Sequence, residues 1–524
     1  MAPDRHCAYV LRILDTLRRT PDRPVIRLAD GQVAAAEFEG AVRSACASLH
    51  ASGIGPGTVL AVLSEPNRPL MLVARYAAHL LGAAVVHLRS MNPRSDAEPL
   101  PLSAQLGIIR DTGARVAVVD EDNAKRGAEL QENAPCLTVL GRLDAPADEA
   151  PAPAPYSPEA LAVVDFTSGS TTEPKMVRQS YGTHEALLGL LSRGWADRGP
   201  ATLLSVTPIS HTTAPMVDAV LADGGTVVLH EGFDADAVLR SFAQDRVTDV
   251  YLAVPHLYRL LEHPGIADAD LSSVHRVVYS GTPAAPSRIA RAVELFGDRL
   301  VQVYGATETG GITSLTPEDH REPLLLGSVG RPFPWVRVEL RDPETGRPAA
   351  PGEAGEVCVA SPTAMDGYLG AADLTEEAVS EGMVRTGDLG RWDQYGYLRL
   401  TGRVGRLIKS GGLKIDPAAV EEVLLGHPAV KDASVFGISD DDYVEHIHAA
   451  VALREGARCT SEELRRHVAA EAPAAWAPHT VAVWDELPLN PSGKHAALSA
   501  PAAGGGPRAG LSHVPLGNRE EGSP

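Results

Sequence analysis

Several features are scarce in this 524-residue sequence, and each scarcity excludes a class of protein. The cysteines are scattered without a CxxC pair, so the sequence predicts reduced thiols rather than a disulfide framework or a structural zinc site. No apolar run reaches the ~18 residues that a membrane-spanning helix needs, and the N-terminus has no apolar signal core. Basic side chains are outnumbered, 47 against 67 acidic ones, and the net charge of −20 argues against nucleic-acid or anionic-membrane partners. We therefore expect a globular protein of the cytoplasm. The cysteines are Cys7, Cys46, Cys136, Cys358 and Cys459.

Short apolar runs alternate with longer helical patterns through the first 300 residues. Residues 59–63, 84–88 and 116–119 have the length and composition of buried strands, and residues 71–81 have helical spacing. This alternation predicts β-α units around mostly parallel sheets. The Pro/Ala-rich segment 144–156 is typical of a linker between two such sub-blocks.

The pattern changes after residue 327. Short strands with turn signals predict a small antiparallel β unit, and an α+β pattern returns from about residue 405. The predicted fold class is therefore α/β, with a large N-terminal domain of β-α sub-blocks plus a small β unit at residues 1–403. A small mobile α+β domain at 404–498 and a disordered Gly/Pro/Ala-rich tail at 499–524 are expected to follow.

One loop has the residue types that bind a polyphosphate. The sequence DFTSGSTTEPK (165–175) directly follows the apolar run 161–164. A strand that ends in such a loop presents backbone N–H groups, hydroxyls and an ammonium to phosphate oxygens. The loop sequence does not match the GxxxxGK[ST] motif, so the chain is not predicted to be a P-loop NTPase. The candidate phosphate-binding residues are Thr167, Ser168, Gly169, Ser170, Thr171 and Lys175.

This loop resembles the TSGSTGxPKG loop of the adenylate-forming superfamily, which comprises acyl-CoA synthetases, peptide-synthetase adenylation domains and luciferases. Further motifs that resemble the family's follow in the family's order, from about residue 10 to about residue 498. They are VYGATET (303–309), RTGDL (385–389), GYLRLTGR (396–403) with IKSGG (408–412), and LPLNPSGK (487–494). Chance agreement of several ordered motifs is implausible.

The resemblance implies a role for each matching residue. Glu308, with Thr167, is expected to hold Mg²⁺, a hard cation that prefers oxygen ligands. Thr307 is expected to bind the α-phosphate, and Lys494 to stabilise charge as the acid oxygen meets that phosphate. The remaining nucleotide-binding residues that the resemblance implies are Gly281, Tyr304, Gly305, Asp388 and Arg403, with Asp388 on the ribose hydroxyls. The acid-binding residues inferred from the neighbourhood of the motifs are His211, Val254, Thr282 and Ala306.

The sequence also departs from the family pattern. Thr172 and Met176 occupy positions of the phosphate loop where the family usually has glycine. Non-glycine residues disfavour positive φ, so the loop is expected to be stiffer or to hold pyrophosphate differently. Because the catalytic positions are kept, these departures suggest a specialised member of a biosynthetic pathway.

The leading interpretation is an ATP-dependent acid ligase. It would convert a small, aromatic or fatty acid into its AMP anhydride with release of pyrophosphate, and then transfer the acyl group to a thiol. ATP and Mg²⁺ are the implied cofactors, with CoA, or a separate acyl or peptidyl carrier protein, as the thiol partner. Transfer to an amine, activation of an unusual acid such as nitrite, and a catalytically silent nucleotide-binding paralogue remain as alternatives.

Overall fold

A computed structural model describes residues 8–89, 99–167, 175–195, 199–210, 212–404, 408–410, 413–439 and 445–487. These residues form two compact units, 8–400 and 401–487. None of the described helices is long and apolar enough to cross a membrane.

The N-terminal part of the first unit alternates helices and strands, as the sequence pattern predicts. In chain order the elements are α1 (Ala8–Arg19), β1 (Pro24–Leu28), β2 (Gly31–Ala34), α2 (Ala35–Ala51), β3 (Val59–Leu63), α3 (Pro69–Leu80), β4 (Ala84–His87), α4 (Leu102–Thr112), β5 (Val116–Val119), α5 (Ala124–Asn133), β6 (Thr138–Leu140), β7 (Leu161–Phe166), β8 (Met176–Ser180) and α6 (Tyr181–Trp195). The predicted linker, 144–156, contains a short 3₁₀ turn, Ala147–Glu149, and none of the α-helices or strands of the unit.

The alternation continues to residue 306, and two further strands then precede a β-rich region. The first group is β9 (Thr202–Ser205), α7 (Ala214–Ala222), β10 (Thr226–Leu229), α8 (Ala235–Gln244), β11 (Asp249–Ala253), α9 (Val254–Glu262), β12 (Arg276–Ser280), α10 (Pro286–Phe296), β13 (Leu300–Ala306), β14 (Gly310–Leu315) and β15 (Arg331–Pro332). The β-rich region is β16 (Arg337–Arg341), β17 (Gly355–Ala360), α11 (Ala372–Ala378), β18 (Val379–Ser380), β19 (Met383–Trp392) and β20 (Leu398–Arg403).

These strands build three sheets. One has nine strands in the order β15-β14-β13-β12-β11-β9-β10-β1-β2, and its central pairs from β13 to β1 are parallel. A second has six strands in the order β6-β5-β3-β4-β7-β8, in which only the β7–β8 pair is antiparallel. The third, formed by β16 to β20, is antiparallel in its described pairings, as the turn-rich sequence after residue 327 predicts.

Burial on both faces explains why the strands of the six-stranded sheet have unbroken apolar sequences. In β3, Leu60 and Val62 pack into one core cluster, together with α1, α2, α3 and α7. The intervening Ala61 and Leu63 pack into a second cluster, with α4 and α5. A parallel strand covered on both faces needs apolar residues at successive positions rather than at every second one.

The second unit is a small α+β fold with its own core. After the end of β20 it contains β21 (Ile408–Ser410), β22 (Leu413–Ile415), α12 (Pro417–Leu425), β23 (Val430–Ser439), β24 (Glu445–Leu453), α13 (Ser461–Glu471) and β25 (Thr480–Trp484). Strands β23, β24 and β25 form one sheet, and β21 and β22 form a separate pair. One face of the larger sheet packs against both helices, through Val435, Val451 and Val483 among others. The predicted tail, 499–524, lies outside the described residues.

Candidate active site

Three neighbouring strands bring predicted site residues to one edge of the nine-stranded sheet. Strands β11, β12 and β13 are adjacent and parallel, so their carboxyl ends lie side by side. Val254 follows β11, Gly281 follows β12, and Thr307 follows β13. Ligands of open α/β sheets bind at such an edge. Gly281 has a φ of +102°, which disfavours any residue with a Cβ, and the space beside it is open.

The hairpin turn between β13 and β14 presents Thr307 and Glu308. Ala306 and Gly310 are paired across the hairpin, and Thr309 N–H donates to the carbonyl of Ala306 at 3.1 Å. Both Thr307 and Glu308 are half-buried at this turn. Gly305 is needed for a packing reason, because a Cβ there would lie 2.4 Å from the carbonyl oxygen of Gly310.

Asp388 is held beside Tyr304 by a local irregularity in β19. The pairing of β19 with β17 shifts register around residues 386–388, where Gly387 has a φ of +73°. The Thr386 hydroxyl accepts from Asp388 N–H at 3.1 Å and donates to the carbonyl of Val357 at 2.9 Å. The Tyr304 hydroxyl then donates to Asp388 Oδ2 at 2.8 Å. Two predicted nucleotide-binding residues, 84 positions apart in sequence, are therefore in direct contact.

The candidate phosphate loop connects the antiparallel pair β7 and β8. Thr167 N–H donates to the carbonyl of Lys175 at 3.1 Å, so the two ends of the loop are adjacent. Met176, one of the departures from the family pattern, opens β8 and pairs with Phe166. Burial raises the pKa of Asp165, near the end of β7, to about 7, and the positive charge of Arg75 opposes this shift. Residues Ser168, Gly169, Ser170, Thr171 and Thr172 lie outside the described residues.

Tyr368 connects two of the predicted residues, although sequence reasoning did not single it out. Its hydroxyl donates to Glu308 Oε1 at 3.0 Å, and Lys175 Nζ lies 5.1 Å from the centre of its ring. Burial first, and then the negative charge of Glu308, raises the pKa of Tyr368 well above its usual value, so the phenol stays protonated. The only local signal is an aromatic residue between Gly367 and Gly370.

Three further predicted residues are Arg403, Lys494 and His211. Arg403 is exposed at the end of β20, in the second unit. Lys494 and His211 lie outside the described residues. Their roles therefore stay predictions.

The predicted acid-binding residues that the structure describes differ in how deeply they are buried. Val254 is buried in a core cluster with the β9–β12 strands and α8 to α10, whereas Thr282 and Ala306 are half-buried at the strand ends. Tyr251, on β11, is buried and hydrogen-bonds through its side chain to Ser280 and Thr212. The acid-binding roles of Val254, Thr282 and Ala306 stay predictions as well.

Comparisons with known proteins agree with this architecture. The model of the AMP-binding enzyme family matches residues 14–369, and that of the AMP-binding enzyme C-terminal domain matches residues 419–494. The chain belongs to the AMP-binding enzyme family, the adenylate-forming superfamily that the ordered motifs predicted. Its α/β fold class, with a large N-terminal and a small C-terminal domain, is likewise confirmed.

Three similar proteins illustrate the range of the family. The amide bond synthetase McbA of Marinactinospora thermotolerans is 35% identical, with a TM-score of 0.84 over 93% of this chain and 98% of its own. A feruloyl-CoA synthase of an Amycolatopsis species is 32% identical over 91% of this chain and 95% of its own. The o-succinylbenzoate CoA synthetase of Bacillus subtilis, solved with ATP and a magnesium ion, is 28% identical, with a TM-score of 0.78 over 92% and 98%.

Proposed function

We propose that this protein uses ATP to convert a small, aromatic or fatty carboxylic acid into its AMP anhydride. A carboxylate oxygen forms a bond to the α-phosphorus of ATP, and the bond from that phosphorus to the bridging oxygen of pyrophosphate breaks. The contact that carries the proposal is the one joining Glu308 to Lys175 through Tyr368. It joins a carboxylate and an ammonium, the two kinds of charge that a magnesium polyphosphate requires.

The residues have complementary roles in this reaction. Two anions must approach each other, so positive charge and orientation are what the site has to supply. Lys175 and the loop after β7 would bind the β- and γ-phosphates, and Thr307 the α-phosphate. Asp388 would accept from the two ribose hydroxyls, with Arg403 donating to the ribose or phosphate and Tyr304 and the backbone at Gly281 and Gly305 lining the adenine. Lys494 would donate to the reacting oxygens.

The donor set at Glu308 fits magnesium. Mg²⁺ in phosphoryl-transfer sites is bound by one or two carboxylates together with substrate phosphates and water; here Glu308 can offer the carboxylate and Thr167 a hydroxyl oxygen. The described residues include no group of three or more His, Cys, Asp or Glu side chains able to hold a metal by themselves. When bound, the ion supplies positive charge that offsets the charge on the phosphate oxygens.

A thiol is the first candidate acceptor for the activated acyl group. Several relatives that match over most of their length are named as CoA ligases, and the feruloyl enzyme is named as a CoA synthase. The carbonyl carbon would bond to the sulfur of CoA, or of a carrier protein, with AMP leaving. An amine is the second candidate, because the amide bond synthetase McbA is 35% identical across almost its whole length.

ATP–pyrophosphate exchange tests the first half of the proposal. Purified protein is given ATP, Mg²⁺, labelled pyrophosphate and a panel of aromatic and fatty acids, with nitrite as a separate arm. Exchange that depends on a carboxylic acid supports the proposal. Exchange with nitrite but with none of the carboxylic acids would instead favour the hypothesis that the protein activates an unusual acid. If none of the tested acids supports exchange although ATP binding is measurable, the result would favour a catalytically silent nucleotide-binding protein.

A second assay decides the acceptor. The acid that supports exchange is incubated with ATP and either CoA or a panel of primary amines, and the products are identified by mass spectrometry. A thioester with CoA supports the ligase reading. Amide formation without CoA would assign the protein to the amide-forming branch.

A further inference from the structure

Residues 363–369 tie the two large sheets of the first unit together at the candidate site. On one side, the carbonyl of Gly367 accepts from Arg178 N–H at 2.9 Å, and Leu369 N–H donates to the carbonyl of Met176 at 2.8 Å. The segment is thereby attached to β8, at the exit of the phosphate loop. On the other side, Met365 N–H donates to the carbonyl of Glu308 at 2.8 Å.

Tyr368 lies in the middle of this segment, and its surroundings leave it little freedom. The residue is 7% exposed, and its N–H donates to the hydroxyl of Thr375 at 2.9 Å. Gly367 precedes it with a φ of +112°, and a Cβ there would lie 2.7 Å from the Thr375 side chain. The backbone that carries the phenol is therefore fixed by contacts that do not involve a substrate.

The phenol ring separates two opposite charges. Its hydroxyl binds the Glu308 carboxylate at one end, while the Lys175 ammonium lies over its face at a distance where cation–π attraction operates. Among the residues that the structure describes, neither Lys175 nor Glu308 forms an ion pair. A direct ion pair between them would neutralise both charges, whereas the ring orients each and leaves both charges in place.

We infer that Tyr368 is a positioning residue that holds the Glu308 carboxylate and the Lys175 ammonium apart and correctly oriented for a magnesium-bound polyphosphate. The inference deepens the proposed function and rests on it. It assigns separate roles to two parts of one side chain. The hydroxyl orients Glu308, and the ring orients Lys175.

Two substitutions separate these parts. Tyr368→Phe keeps the ring and removes the hydroxyl, so we expect a loss of kcat of about tenfold, the order of one hydrogen bond to a charged group, and a higher Mg²⁺ requirement. The KM for ATP should change little. Tyr368→Leu removes the ring too, so the KM for ATP should rise severalfold in addition.

Tyr397→Phe is a matched control. Tyr397 is also buried, its hydroxyl donates to the Asp319 carboxylate at 2.6 Å, and Arg331 lies 4.2 Å from the centre of its ring. If Tyr368 only stabilises the fold, Tyr368→Phe and Tyr397→Phe should have similar effects on kcat, on the Mg²⁺ requirement and on thermal unfolding. We expect the two variants to differ in kcat and in the Mg²⁺ requirement but not in thermal unfolding.

Two further measurements do not depend on each other. Calorimetric binding of a non-hydrolysable ATP analogue, with and without Mg²⁺, should show that Tyr368→Phe reduces the magnesium-dependent gain in affinity. In a double-mutant cycle, Tyr368→Phe should have almost no further effect on kcat once Glu308→Gln is present. Fully additive effects on kcat, or an unchanged magnesium-dependent gain in affinity, would overturn the positioning role of Tyr368 but not the proposed function. A wild-type protein that does not bind the analogue at all would overturn the proposed function, and the positioning role with it.

Discussion

The two compact units hold their candidate residues in different ways. In the first unit, Glu308 and Asp388 each accept a hydrogen bond from a buried tyrosine that belongs to another part of the chain. In the second unit, the described candidate is Arg403, which is exposed at a strand end. Neighbours from distant elements orient the acidic groups, whereas the basic residue is part of a solvent-facing surface.

This difference suggests that the acidic and the basic candidate residues have different roles. Side chains held in place before the nucleotide arrives are suited to binding it, because little ordering entropy is lost on contact. A long basic side chain acts chiefly through its charge, which matters most where charge develops during the reaction. Variants of the hydrogen-bonded acidic residues should therefore alter ATP affinity or magnesium dependence, with or without a change in kcat, whereas loss of Lys494 should lower the rate and leave ATP binding nearly unchanged.

Loss of Lys494 is expected to have the largest effect. Lys494→Ala should lower adenylate formation by about 100-fold or more, the order seen when one preorganised transition-state contact is removed, while ATP binding stays nearly unchanged. Pyrophosphate release and nucleotide binding are measured on the same sample. Lys431→Ala, at an exposed lysine of β23, is the control and should behave as wild type. Normal pyrophosphate release by Lys494→Ala would remove this residue from the reaction.

Glu308→Gln should come next. The substitution keeps the shape of the side chain but removes its charge, so kcat should fall by about tenfold or more and half-maximal activity should need more Mg²⁺. Steady-state kinetics across a magnesium titration measures both quantities. An unchanged magnesium dependence would mean that Glu308 does not bind the ion.

Asp388→Ala should act on ATP rather than on magnesium. Removal of two hydrogen bonds to the ribose should raise the KM for ATP by about tenfold, with a smaller change in kcat. Competition with 2′-deoxy-ATP sharpens the assignment, because the variant should discriminate less between the two nucleotides than wild type does. If Asp388→Ala and Glu308→Gln gave the same kinetic change, the separate roles assigned to these carboxylates would be wrong.

The smallest expected effect concerns stability in the second unit. Burial raises the pKa of Asp416 to about 6, opposed by the hydrogen bond that Ala418 N–H donates to it at the start of α12. The folded chain thus binds this proton more tightly than the unfolded chain does. The contribution of Asp416 to stability is therefore fully present below about pH 4 and is lost as the pH rises through about 6.

Asp416→Asn should remove this dependence, since asparagine caps a helix as well as aspartate does. Calorimetric unfolding at pH 4.5 and at pH 7.5 should show the variant gaining about 1–2 kcal/mol relative to wild type at the higher pH. Pyrophosphate release at pH 7.5 should not change. An equal difference between variant and wild type at both pH values would show that the carboxyl group titrates alike in the folded and unfolded chains.

The sequence by itself determined the family and the fold class, and it supplied the candidate residues of the site. Strands such as β3 and β5 begin and end where their apolar runs do, because a strand buried on both faces records that burial in every residue. Motif order made Glu308, Asp388 and Lys175 candidate site residues, because a magnesium nucleotide needs both negative and positive groups around it. The sequence did not predict which of these side chains contact each other.

Only the tertiary structure decided which of these side chains meet. Tyr368 lies 60 residues from Glu308, and Tyr304 lies 84 residues from Asp388. Apolar periodicity reports which face of an element is buried, but it does not report which element lies against that face. The order of strands in the sheets, and the attachment of residues 363–369 to β8, make Tyr368 a neighbour of both Glu308 and Lys175. No local pattern around a tyrosine between two glycines contains that information, because the contact depends on segments that are adjacent in space and distant along the chain.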